Sequence, residues 1–147
     1  MSIKGGCNIK TLNLLPSVIA AQKAEEAGWQ EVVFHRADRV TECAHSNVSI
    51  LKDGILKTAP TDNLILPGIA RAHLIKICNK FNIPVNETPF NLKELMDADE
   101  IIVTSSGQFC MVACEIDGKP VGGKALEIVK KLQDALLKEF SEETQII

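Results

Sequence analysis

"SNVSILKDGILKT", residues 46–58, decides the fold class. "SNVSIL" (46–51) alternates polar and apolar side chains as a strand does. "KDG" (52–54) then turns the chain tightly into "ILKT" (55–58), so 46–58 reads as a β-hairpin. A plain doubly wound domain alternates strand and helix, and a hairpin at this place breaks that alternation. Towards the N-terminus, residues 16–27 read as a helix. Pro16 suits its first turn, Val18, Ile19 and Gln22 fall at helical spacing, and Gly28 suits its C-terminal cap. "EVVFH" (31–35) is short and β-branched, hence a strand, and "VTECAHSN" (40–47) reads as the loop before the hairpin.

Towards the C-terminus, "GIARAHLIKICNKF" from Gly68 is an amphipathic helix with Ile69, Leu74, Ile75, Ile77 and Cys78 as its apolar positions. "IPVNETP" (83–89) is a short extended piece, and "NLKELMDAD" (91–99) a short helix with Asn91 as N-cap. "EIIVTSS" (100–106) and "CMVACEI" (110–116) read as strands, "DGKPVGG" (117–123) as a turn, and 124–140 as a closing helix. The mixed order implies an α/β domain of the mixed α+β kind, with a curved, partly closed β-sheet and flanking helices. The 147 residues fit a single domain, 1–147, with no internal repeat.

Composition narrows the function. Hydrophobic residues make up 46% and charged residues 24%, which suits a packed core. A net charge of -3 gives no basic footprint for nucleic acid. No apolar run is long enough to span a bilayer, and "MSIKGGCNIK" lacks an apolar signal region. The five cysteines are odd in number and form no C-x-x-C pair, which argues for reduced thiols, a cytoplasmic compartment and no metal site.

Four places could carry chemistry. Lys10, within "NIKTLNLL" (8–15), sits among apolar residues with no local acidic partner. It is either a lysine whose stem packs while its head stays wet, or a desolvated amine able to form a Schiff base. Glu42 is either a solvated turn carboxylate or a buried acceptor for a protonated ring nitrogen. "LILPGIAR" (64–71) opens a helix, where the backbone N–H groups of Gly68, Ile69 and Ala70 would meet an anion, or is an ordinary Pro-Gly turn. "TSSG" (104–107) follows a strand and offers three hydroxyls, either as phosphate donors or as a strand-ending turn.

In order, "NIKTLNLLPSVIAAQKAEEAG", "VTECAHSNV", "DGILKTAPTDNLILPGIAR", "MDADEIIVTSS" and "EIDGKPVG" resemble the C-terminal half of fold-type IV pyridoxal-phosphate enzymes. The wording of "IKTLNLL" is closest to the D-amino-acid aminotransferase branch. The resemblance covers residues 7–140 and implies pyridoxal 5'-phosphate as cofactor, with an amino acid and a 2-oxo acid as substrates. It implies that Lys10 holds the cofactor through a Schiff base and that Glu42 pairs with its pyridine nitrogen. It further implies that Leu66 packs on the ring, that the N–H groups of Ile69 and Ala70 hold the phosphate, and that Ser106 donates a hydroxyl to it. It also implies that Ser105 and Ser46 stand near the cofactor.

Two positions depart from the family pattern: Ala70 stands where threonine is common, and His45 where serine is common. The larger departure is that family members carry an N-terminal domain of similar size, which supplies an arginine to the phosphate. A homodimer, or pairing with such a domain, is therefore expected. Two alternatives stay within the family, a branched-chain L-aminotransferase and an aminodeoxychorismate lyase. A third is a cofactor-free remnant or partner subunit.

Overall fold

The computed structural model describes residues 15–144. The first helix, α1 (Leu15–Glu26), ends in a left-handed turn at Gly28, with the Trp29 N–H donating back to the Ala24 carbonyl at 2.8 Å. Strands β1 (Val33–Arg36) and β2 (Arg39–Cys43) form an antiparallel pair. Strands β3 (Asn47–Lys52) and β4 (Ile55–Thr58) form the hairpin, joined by Asp53 and Gly54, both at positive φ. Next come α2 (Ile69–Lys80), β5 (Val85–Asn86), α3 (Leu92–Met96), β6 (Glu100–Thr104), β7 (Met111–Val112), β8 (Glu115–Ile116), β9 (Lys119–Pro120) and α4 (Leu126–Thr144).

Five strands make the main sheet, in the order β5-β4-β3-β6-β7. Only the β4–β5 edge is parallel, so the sheet is mixed and the domain is a mixed α/β domain with flanking helices. Central β3 is buried on both faces. Val48 and Ile50 face a core with Val40, Phe90, Leu95 and Ile101. Leu51 faces the other core, where α2 lays Leu74, Ile77 and Cys78, and α4 lays Val129, Leu132 and Leu136, against the sheet. Side chains alternate along strands, so Asn47, Ser49, Thr58 and Thr104 share the helix-covered face with Leu51, Leu56 and Ile102.

Two sequence expectations change. The 40–47 stretch is not all loop, because its first four residues belong to β2. Val40 is fully buried there, its N–H donates to the Phe90 carbonyl at 2.9 Å, and it pairs with His35. The expected single strand 110–116 splits at Ala113 and Cys114. Its first part pairs with β6 and its second with β9.

Candidate functional site

Three segments converge at one end of the main sheet. The first is the end of β2 and the turn after it. Glu42 is 9% exposed, and its Oε2 accepts a hydrogen bond from the Leu66 N–H at 2.7 Å. That geometry removes the solvated-turn alternative, since this carboxylate lies inside the fold. In the following turn, Glu31 accepts from the Val32 N–H (3.0 Å), the Ala44 N–H (3.2 Å) and the Ser46 hydroxyl (2.5 Å). The Cys43 N–H closes the turn on the Ser46 carbonyl at 2.8 Å. His45 is exposed at the tip. The buried Cys43 thiol is pushed well above the usual thiol range by burial, then by the charge of Glu31, with Glu42 adding to it against an opposing Ser46 hydrogen bond.

The second segment is the loop entering α2. Leu66 is half-buried and held at both backbone groups, its N–H by Glu42 and its carbonyl by the Asn47 Nδ2 at 2.9 Å. The Asn47 Oδ1 accepts from the Gly68 N–H at 3.1 Å. Gly68 caps α2 without any side-chain hydrogen bond, and the Ala72 N–H takes the Gly68 carbonyl as the first helical bond. The N–H groups of Ile69, Ala70 and Arg71 therefore have no acceptor within the helix and carry its positive end. Ile69 is 77% exposed, while Ala70 is buried. Arg71 fastens the same turn from its far side. Its Nε donates to the Thr58 Oγ1 at 3.2 Å, and its Nη2 donates to the Ala59 carbonyl at 2.9 Å and to Glu87 at 2.7 Å.

The third segment follows β6. Thr104 lies opposite Asn47 in the β3–β6 register. Its hydroxyl is buried and lacks a hydrogen-bond partner among the described residues. Ser105 and Gln108 close a tight turn, with the Ser105 N–H on the Gln108 carbonyl at 2.9 Å and the Gln108 N–H on the Ser105 Oγ at 3.1 Å. Ser106 stands exposed within it.

Glu42 and Leu66 are thus joined directly. Ile69 and Ala70 follow Leu66 into α2, and Ser46 belongs to the turn that leaves Glu42. Ser105 and Ser106 leave the strand that Asn47 pairs with. Lys10 lies outside the described residues. Sequence reasoning passed over Glu31, Asn47 and Arg71, the residues that hold these segments together. The only sequence signal for Asn47 is a polar residue at an inward position of a buried strand. Chemically, the arrangement offers a buried carboxylate and, one short loop away, an anion-seeking helix end beside a strand whose terminal hydroxyls include one with no partner among the described residues. It suits a ligand with a protonated nitrogen at one end and an anionic group at the other.

A family profile described as "Amino-transferase class IV" matches residues 4–116. The D-alanine aminotransferase of Listeria monocytogenes is 43% identical over 135 residues, covering 91% of this chain and 47% of that protein. A Legionella pneumophila protein provisionally assigned as a 4-amino-4-deoxychorismate lyase superposes with a TM-score of 0.84 at 28% identity, covering 93% of this chain and 54% of the other. The branched-chain amino acid aminotransferase of Escherichia coli superposes with a TM-score of 0.80 at 25% identity, covering 93% and 49%. The chain spans about half the length of the curated relatives it matches.

Proposed function

The chain belongs to the class IV aminotransferase family, and from that premise we propose that it is the cofactor-binding part of an enzyme that moves an amino group between a D-amino acid and a 2-oxo acid. The observation that supports this best is the Glu42–Leu66 hydrogen bond. It ties a buried carboxylate to a segment that becomes, three residues later, the positive end of a 12-residue helix. Pyridoxal 5'-phosphate has the matching ends, a ring nitrogen that takes a proton and a phosphate that seeks N–H donors, so the donor set fits it. When bound, that cofactor supplies an electron sink for the carbanion at the substrate Cα.

The chain's own residues do the rest. Glu42 holds the proton on the ring nitrogen. The N–H groups of Ile69 and Ala70, with the Ser106 hydroxyl and Ser105 beside it, hold the phosphate and fix the ring's direction. Leu66 packs against the ring, and Ser46 steadies the turn next to Glu42. Lys10 would provide the amine that holds the cofactor and, as general base and then general acid, would move the proton between the substrate Cα and the C4′ carbon of the cofactor.

The D-amino-acid branch is favoured because the D-alanine aminotransferase is 43% identical, against 28% and 25% for the lyase-assigned and branched-chain proteins. Groups that trap the substrate carboxylate, and an arginine for the phosphate, would come from a second domain or chain, as a homodimer or a two-part assembly in the cytoplasm. No described helix is long and apolar enough to cross a membrane.

The test is to mix the chain with pyridoxal phosphate, reduce with borohydride and map the adduct by mass spectrometry. A pyridoxyl group on Lys10, absent in Lys10→Ala, is the expected result. No adduct, or label scattered over surface lysines, overturns the proposal. A visible absorbance that shifts with D-alanine but not L-alanine supports the branch.

A further inference from the structure

We propose that Asn47 is the positioning residue of the anion-binding end of this site, the residue that sets the first turn of α2 beside the end of β6. The inference rests on the reading above and goes beyond it, because Asn47 is not among the residues assigned to touch the cofactor. Asn47 is 5% exposed, and its carboxamide spends both ends on one loop, donating to the Leu66 carbonyl and accepting from the Gly68 N–H. Each of those partners can play only one role, so the amide orientation is fixed by chemistry. Its backbone is equally fixed, in register with Thr104. One residue therefore ties the helix-entering loop to the strand that leads into Ser105 and Ser106.

The fit is close at Gly68. A Cβ on Gly68 would lie 2.2 Å from the Asn47 Oδ1, so any larger residue at 68 would force the Asn47 carboxamide to shift. Asn47 also accepts from the Gly68 N–H, the last backbone donor before those of Ile69 and Ala70. The sheet beneath this turn is polar where a core would normally be apolar. Asn47, Ser49, Thr58 and Thr104 share one face, Arg71 reaches down to Thr58, and the hydroxyls of Ser49 and Thr104 have no partner among the described residues. Asn47 is the member of that row that acts on the helix.

The test separates phosphate binding from cofactor attachment by comparing pyridoxal phosphate with pyridoxal, which lacks the phosphate. Affinities for both, and for inorganic phosphate as competitor, are measured on the full chain and on Asn47→Ala and Asn47→Asp, alongside melting temperature. The wild-type chain should prefer pyridoxal phosphate. Asn47→Ala should lose about tenfold of that preference, the scale of one hydrogen-bonding group's contribution, while pyridoxal still attaches as in wild type. Asn47→Asp, which keeps the acceptor for Gly68 but loses the donor to Leu66 and adds a negative charge, should lose at least as much. It also serves if Asn47→Ala fails to fold. Gly68→Ala should melt below wild type, and adding Asn47→Ala should recover part of the loss.

A variant that keeps the wild-type preference overturns the role of Asn47 and leaves the functional reading intact. Equal losses of pyridoxal and pyridoxal phosphate overturn it too, because they mark general damage. A wild-type chain that takes up neither ligand overturns the functional reading, and this inference with it.

Discussion

Glu42 sits in the fold because a backbone group needs it there. The Leu66 N–H donates to the Glu42 Oε2 of β2 at 2.7 Å. Glu42→Ala should therefore cost about 1–2 kcal/mol in urea unfolding, since it strands that donor, while Glu42→Gln should cost clearly less because an oxygen remains. Equal losses would mean that the hydrogen bond is not what anchors the loop. The cysteines make a second residue-scale prediction. Burial pushes the Cys78 thiol up to about 11, and burial followed by the neighbouring Cys78 pushes Cys110 up to about 12. Cys43 is raised further still, whereas Cys114 is exposed. A raised thiol pKa means less thiolate at neutral pH, and the thiolate is the nucleophile. Among these four, iodoacetamide at neutral pH should label Cys114 first, half-buried Cys110 more slowly, and buried Cys43 and Cys78 only after unfolding, as peptide mapping would read directly. Early labelling of Cys43 would show that the end of β2 opens in the native state.

Among the elements, α4 begins at a point fixed by another element. Glu100 is fully buried at the start of β6, and its carboxylate accepts from the Gly123 N–H at 3.1 Å and the Ala125 N–H at 2.7 Å, just ahead of Leu126. It caps the helix from across the chain and places a negative charge at its positive end. Glu100→Ala should cost about 1–2 kcal/mol, since the Gly123 and Ala125 N–H groups lose their acceptor, and chemical denaturation of the variant checks it. An unchanged midpoint would show that the helix start is held by its apolar face alone. What the sequence could reveal follows the same division between local and distant partners. The Asp53-Gly54 turn, the Gly28 cap and the Asn91 cap were all legible, because each is settled within a few residues. Asn91 even forms a reciprocal capping box with Glu94. Strand β2 was not legible, because its buried character comes from His35 and Phe90, which are distant in sequence or on a separate strand. The same holds for the site. The short motifs at Glu42, Leu66 and Ile69 could be picked out by wording. Asn47, whose partners lie 19 and 21 residues away, could be recognised only once the chain was folded.

Across the whole molecule, carboxylates fasten elements that the apolar cores leave at the rim. Asp99 accepts from the Asp53 N–H at 2.8 Å and from Lys52 at 3.2 Å, tying the hairpin turn to the start of β6. Glu94 joins α3 to Lys57 of β4 at 2.6 Å, and Glu139 joins α4 to Lys76 of α2. Each carboxyl is held below its ordinary range, Asp99 chiefly by the Asp53 N–H, Glu94 by Lys57 and Glu139 by Lys76. A folded-state pKa below the unfolded one means that the unfolded chain binds protons first, so stability falls as pH falls. The contribution is fully present above the unfolded value of about 4 and is lost as pH drops through the lower folded values. The melting temperature should therefore stay nearly level from neutral pH down to about 5 and then decline steeply below about 4. Added salt should soften the decline only slightly where a backbone N–H is the partner, and more where a lysine is. Asp99→Asn should melt lower than wild type at pH 7 and close part of that gap at pH 3, because the variant has no proton to gain there. A gap of constant size across the range would place the Asp99 contribution in packing, not in its charge.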